Sequence, residues 1–211
     1  MRCQLALLPL LVLLTGATQG SPESGGVASM AGKGKGAAAI AAGFYQADPN
    51  HTQVRFGVSH MAISPYYGIV AGATGTLDID PANIAAAKVD IEIPVAKLMT
   101  TSDKLTEELK SADWLDASQF PTFAFHSTKV TQTGPEAADV AGNLTIHGVT
   151  KPFVLHVKFF GAATNAMTKK PNIGFTASGA IKRSTFGVNK YVPLISDVVG
   201  LTINAAFEKS G

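Results

Sequence analysis

Five histidines, one late arginine and a few tyrosines are the residues of this 211-residue chain that could do chemistry. A zinc site wants His, Cys, Asp or Glu at short, repeated spacing. His51, His60, His126, His147 and His156 form no His-x-His or His-x-x-x-His pair. The single cysteine, Cys3, can build neither a thiolate site nor an internal disulfide. Strand residues distant in sequence can still converge, so a metal-assisted enzyme stays on the page as an alternative. A serine hydrolase would set its nucleophile on a Gly-x-Ser-x-Gly turn, and neither Ser127 nor Ser178 sits in one. No catalytic residue is assigned, and the chain is read as non-enzymatic, with no cofactor.

The polar residues suit recognition better than catalysis. His60 falls on an apolar face, as a hydrogen-bonded core histidine or as a contact for a ligand head group. Arg183 closes an apolar strand; pointing inward it needs a partner, a head group or Asp197, because an unpaired buried charge is costly. Pointing outward it is simply solvated. Tyr66, Tyr67 and Tyr191 fall in expected loops, where an apolar ring with a polar tip suits the mouth of a channel.

The elements that must position these residues follow a period of two. Val54, Phe56, Val58 and His60 alternate with polar neighbours, as do Val89, Ile91 and Ile93. The same holds for Phe123 and Phe125, Leu144 and Ile146, and Phe153, Leu155, Val157 and Phe159. Ile173, Phe175, Ala177, Gly179 and Ile181 share a face, as do Val199, Leu201, Ile203, Ala205 and Phe207. With a strand over Ile69–Asp80, about eight strands result. Turn signals at Ser64-Pro65, Asp80–Asn83, Thr133–Pro135, His147-Gly148 and Lys170–Asn172 are close enough together to predict antiparallel neighbours. One helix interrupts: Leu98, Leu105, Leu109 and Ala112 recur at helical spacing, Ser102 can cap it, and Pro121 forces an exit. The expected fold is all-β, an eight-stranded antiparallel lipocalin-like barrel with one inserted α-helix. Closure removes the exposed edges that would otherwise pair with other chains.

An eight-stranded barrel is either filled by its own side chains or able to hold one small ligand. Here Phe56, Phe123, Phe125, Phe153, Phe175 and Phe207 are mixed with Ala177, Gly179 and Ala205 on the inward faces. Small residues beside aromatic ones leave room for an elongated slot; equally, they relieve crowding where strands coil. Periodicity alone allows both. An apolar slot would take a hydrocarbon chain, and burying ten to twenty carbons contributes on the order of 8–16 kcal/mol before the chain's ordering cost.

Several runs in consistent order carry a resemblance. They are His51-Thr52, Val54–His60, Gly75–Leu77, Leu109–Asp116, Phe120–Thr128, Gly142–Pro152, Arg183–Val188 and Asp197–Val199. From Phe44 to Lys209 the chain resembles the YceI-like family of exported, lipocalin-like lipid-binding proteins. That resemblance implies a barrel whose internal channel binds isoprenoid chains, polyprenyl or quinone tails, in a bacterial periplasmic or secreted setting. Three departures stand out: Thr52 where the family usually has Ser, Thr106-Glu107 in place of an Arg-Asp pair, and Val70 where Phe is frequent. The inward faces and this resemblance together give a ligand-binding set. It comprises Val54, Phe56, Val58, His60, Val70, Phe123, Phe125, Leu144, Ile146, Phe153, Leu155, Phe175, Ala177, Gly179, Arg183, Phe186 and Tyr191.

The address precedes the domain. Arg2 and the ten-residue apolar run Leu5–Leu14 are too short to span a bilayer, which takes about 20 apolar residues. With small residues up to Gly20 the run reads as a signal peptide over 1–20, leaving no stable membrane anchor after cleavage. Residues 21–43 are rich in Gly, Ala and Ser and read as a flexible linker, so the domain is expected over 44–211. Gly32–Gly36 follows no strand and lacks the ending of a phosphate loop. Net charge is +2, from 17 basic and 15 acidic residues without a basic stripe, which argues against nucleic acid. The leading expectation is an exported carrier of a long-chain isoprenoid or related lipid, with a homodimer compatible. Its rival is a lipocalin-like protein-interaction module with a filled core.

Overall fold

The computed structural model describes residues 40–210; the expected signal peptide and all but the last residues of the expected linker lie outside them. The domain begins before Phe44. Ile40 is buried in the core, the Tyr45 hydroxyl donates to the carbonyl of Ala41 at 2.7 Å, and Lys209 Nζ donates to the carbonyl of Ala42. Tyr45 is fully buried, which pushes its phenol pKa up against that hydrogen bond.

Eleven strand segments are present: β1 (Gly43–Ala47), β2 (Gln53–His60), β3 (Ser64–Ala71), β4 (Thr74–Ile79), β5 (Lys88–Pro94), β6 (Leu98–Met99), β7 (Thr122–Gly134), β8 (Ala137–Ile146), β9 (Val149–Thr164), β10 (Pro171–Lys182) and β11 (Val198–Lys209). They make eight staves. β1 and β2 lie end to end along β11, β3 and β4 lie end to end along β2 and β1, and β5 and β6 do the same along β4 and β3. Every neighbouring pair is antiparallel, and β1 against β11 closes the ring. The eight-stranded closed barrel expected from the sequence is the fold.

The three broken staves are adjacent, and their breaks lie side by side. The chain leaves the ladder at Asp48–Thr52, at Gly72-Ala73 and at the 3₁₀ turn Val95–Lys97. At the first break Thr52 is buried and its hydroxyl replaces a missing ladder partner. It donates to the carbonyl of Ala206 at 3.1 Å and accepts the Ala206 N–H at 3.0 Å. The Thr-for-Ser departure therefore keeps the atom that matters.

Local differences from the sequence reading have plain causes. Ser64-Pro65 pair with His60 and Ser59 inside the β2–β3 ladder, and the turn is Met61–Ile63, where Met61 and Ala62 take positive φ. Pro171 and Asn172 likewise begin β10 rather than a turn. Ile69–Asp80 is two segments because Gly72 takes φ +75°. The helix α1 runs only over Asp103–Lys110; Leu98 belongs to β6 and Ala112 to the turn beyond the helix. Ser102 caps it, its hydroxyl accepting the Leu105 N–H at 3.3 Å, and Asp103 meets the positive end of the helix.

One wall contact is backbone against backbone. Gly75 sits at φ +132°, and a Cβ there would meet the carbonyl oxygen of Asp90 on β5 at 2.0 Å. Gly75→Ala should destabilise the barrel by about 3 kcal/mol or more, from strained backbone and a forced shift of the ladder. Urea unfolding checks this; a loss within experimental error would show that β4 and β5 separate freely.

Candidate functional site

The barrel encloses a cavity of about 710 Å³, within the range of ligand pockets. Its wall is built from the inward positions of every stave. The way aromatic side chains line it explains why it is hollow. Three glycines on neighbouring strands offer no side chain where a phenylalanine ring lies. A Cβ on Gly68 would come within 2.2 Å of the Phe56 ring, on Gly142 within 2.5 Å of Phe125, and on Gly179 within 2.5 Å of Phe153. The rings recline against the wall over these glycines, the arrangement known as aromatic rescue. Edge-to-face contacts then tie Phe125 to Phe153, Phe159 to Phe175 and Phe175 to Phe207 at centroid distances of 5.8–6.5 Å.

Two ends can be distinguished. At one, the 3₁₀ turn Ile84–Ala86, Ile40 and the exposed Gln132, Pro135 and Glu136 around the β7–β8 hairpin line the space. At the other, α1 and the loops before β7 and β11 frame a mouth. Leu105, Leu109 and Leu115 present apolar side chains to it, beside Glu108 and Trp114. Trp114 is the only tryptophan of the chain. Its Nε1 donates to Glu108 Oε1 at 3.1 Å, and its ring meets Tyr191 edge-on at 5.9 Å. Lys190 Nζ lies 2.8 Å from Asp113 and 3.9 Å from Glu108. That pair lowers the Asp113 pKa and raises that of Lys190.

Fifteen of the seventeen expected ligand residues line the cavity: Val54, Phe56, Val58, His60, Val70, Phe123, Phe125, Leu144, Ile146, Phe153, Leu155, Phe175, Ala177, Arg183 and Tyr191. Two do not. Gly179 faces inward but is covered by the Phe153 ring, and Phe186 is buried among Phe125, Val130, Val140 and Leu144. His60 is not a core histidine: it is the last residue of β2, exposed at the mouth and lining the cavity there. The other histidines serve structure. His51, His126 and His156 each meet one aspartate, Asp48, Asp90 and Asp139, at 2.6–2.9 Å, and His147 packs edge-on against Phe120. Among the described residues no three metal-ligating side chains come together.

Arg183 points inward, and backbone carbonyls rather than a direct salt bridge to Asp197 meet its charge. Its Nε donates to the carbonyl of Ser196, Nη1 to those of Val188 and Lys190, and Nη2 to that of Ile195, all at 2.9–3.0 Å. The guanidinium also lies over the Trp114 ring at 5.4 Å. Burial pushes its pKa down and Asp197 opposes the shift; an arginine stays charged regardless. Asp197 in turn accepts the Ser184 N–H at 2.9 Å and the Ser184 hydroxyl at 2.8 Å. The backbone bond foremost, with the hydroxyl bond and the Arg183 charge, holds its carboxyl below the usual range.

Sequence reasoning left out Thr52, Leu105, Glu108, Leu109, Trp114, Gln132 and Glu136, all of which line the space. A signal existed for Trp114, the lone indole in a motif otherwise polar and aliphatic. The inward residues of β5 and β11 were legible as faces without being assigned to the site. Gln132 and Glu136 gave no signal, because their place depends on where a hairpin ends.

Comparison with known proteins decides the family. A model of the YceI-like domain matches residues 45–207. The chain belongs to the YceI-like family. Protein YceI of Escherichia coli O6:H1 is 34% identical over 154 residues, covering 73% of this chain and 80% of that protein. A UPF0312 protein of Pseudomonas savastanoi pv. phaseolicola is 34% identical over 138 residues, 65% of this chain and 71% of the relative. Among solved structures, the Campylobacter jejuni YCEI protein superposes with TM-score 0.64 at 29% identity, over 72% of this chain and 90% of its own. A polyisoprenoid binding domain from Saccharophagus degradans shares the fold at TM-score 0.63 and 13% identity, over 79% and 98%. The family match and the solved structures thus agree on a YceI-like closed β-barrel.

Two predictions follow from the YceI-like mouth. Arg183→Leu strands four carbonyls and should cost about 3–5 kcal/mol in urea unfolding. Arg183→Lys should not restore the loss, because an ammonium lacks the planar fork. Asp197, with its depressed pKa, stabilises the fold above the ordinary carboxylate range, and that contribution disappears as pH falls through its folded value. Below about pH 4 the wild type should lose stability more steeply than Asp197→Asn; parallel acid limbs would refute the assignment.

Proposed function

We propose that the protein is an exported, non-catalytic carrier that sequesters an isoprenoid-like amphiphile, a polyprenyl or quinone tail, inside the barrel. The observation that carries this reading is the hollow apolar interior, held open by rings that recline on glycine. The interior is not filled, which disfavours the rival module with a solid core. A cavity of about 710 Å³ is the size of pockets that hold one small amphiphile. A tail longer than the lumen would extend past one end. The Saccharophagus degradans domain of the same fold is described as polyisoprenoid binding, and the same class of cargo suits this cavity. Export rests on the N-terminal apolar run and a periplasmic or secreted setting follows from it.

The mouth argues for an uncharged head group. Of the charged residues lining the cavity at this end, Glu108 is acidic and Arg183 has its guanidinium committed to its own loop, while Glu136 lies at the far end. Lys190 beside them is engaged by Asp113 and Glu108. Among the described residues lining this end, a diphosphate would find the Glu108 carboxylate and no uncommitted cation, whereas a hydroxyl or quinone oxygen needs only hydrogen bonds, for which Tyr66, Tyr191 and His60 are placed.

Protein purified from its native compartment, extracted with organic solvent and analysed by mass spectrometry, should yield a prenyl lipid. Recovery of no long-chain lipid, together with failure to reload one, would sink the proposal. Titration with a twenty-carbon prenol should change Trp114 fluorescence. Gly179→Ala displaces chiefly the Phe153 ring, toward the lumen, with the Val154 carbonyl at 3.3 Å giving by a few tenths of an ångström, and should weaken prenol binding about tenfold, near 1.4 kcal/mol, with the fold retained.

A further inference from the structure

The mouth carries an exposed apolar tip that the cavity does not use. Two loops form it, Met61–Ile63 between β2 and β3 and residues 191–195 before β11. Ile63 is 78% exposed and Leu194 61%, and Met61, Tyr191 and Val192 are also exposed. No residue in either stretch is charged. A contiguous apolar patch on a protein surface marks an interaction site.

The backbone indicates what kind of partner fits. Entering hydrocarbon is costly for any N–H or C=O without a partner. Here the two loops pair part of their backbone with each other and themselves and leave the Ala62, Tyr191 and Leu194 N–H groups open, which suits the hydrated interfacial layer of a bilayer and not its hydrocarbon core. The Met61 N–H donates to the carbonyl of Leu194 at 2.7 Å, Ile63 to His60 at 3.0 Å, Val192 to Asn189 at 3.1 Å and Ile195 to Tyr191 at 2.9 Å. Pro193 has no N–H to satisfy. The Ser196 N–H, donating to the carbonyl of Ser59 at 2.9 Å, and the bridge of His60 with Ile195 fasten the pair at its base. The open backbone groups can be met by head-group oxygens and water, while the uncharged apolar side chains face the acyl boundary. The tip is also continuous with the cavity, because Tyr191 and Ile195 belong to both.

We infer that the Met61–Ile63 and 191–195 loops insert together into the interfacial region of a lipid bilayer, placing the cavity mouth against the membrane. A cargo tail then passes between bilayer and barrel without crossing water. This inference rests on the carrier reading, and the lipid surface it requires is a neutral one, since the tip offers no charge for anionic head groups.

The test uses phosphatidylcholine vesicles and the full chain in a Cys3→Ser background. A polarity-sensitive probe on Leu194→Cys should shift to the blue when vesicles are added, while the same probe on Thr131→Cys, exposed on β7, should not. Ile63→Glu combined with Leu194→Glu should slow prenol transfer between vesicles at least tenfold and leave prenol titration of Trp114 unchanged, since neither residue lines the cavity. No shift at Leu194, an equal shift at both sites, or undiminished transfer by the double variant would overturn the inference. So would a dimer in sedimentation that the double variant dissociates without any vesicle response. Failure of prenol to titrate Trp114 in the wild type would instead remove the carrier reading itself.

Discussion

A hollow interior must be held open by its own wall, and here the reclining of aromatic rings onto glycines does this. Protein interiors otherwise close-pack, and voids lose contacts on every atom around them. Phe56, Phe125 and Phe153 retain much of their contact by lying along the wall over Gly68, Gly142 and Gly179. Had those positions carried side chains, the same rings would project into the lumen. The closed ladder supplies the rest of the restraint, since no stave has an open edge along its whole length.

The polar chemistry is concentrated at one end and is mostly architectural. Arg183 holds the residue 188–196 loop by four of its own carbonyls, and Asp197 fastens the end of that loop to Ser184. Trp114 rests between this arginine, Glu108 and Tyr191, so α1 and the late loop share one anchor. The mouth is therefore shaped before any ligand arrives, which lowers the ordering cost of binding.

Much of this was readable from residue order. Period-two alternation identified the wall because each stave buries one face, and the 15 lining residues found that way come from it or from flanking motifs. What escaped the sequence has physical reasons. Gly179 was counted as lining because it shares a face with Ala177, but a glycine can be covered by a ring from the next strand. Arg183 was expected to seek a charge, yet backbone carbonyls brought round by a loop satisfied it. Ser64-Pro65 looked like a turn because proline punctuates; at the start of β3 it instead begins a ladder. The YceI-like resemblance is what points to a class of cargo, which alternation alone leaves open.

The three interrupted staves have a mechanical consequence. Their gaps at Asp48–Thr52, Gly72-Ala73 and Val95–Lys97 fall next to one another, so the wall is missing stitches along a single line. Local opening costs least where fewest cross-strand bonds must break. The enclosure is consequently stiffer on the β7–β11 side than on the side made from its first three staves, and a bulky guest would widen its girth along that seam before anywhere else.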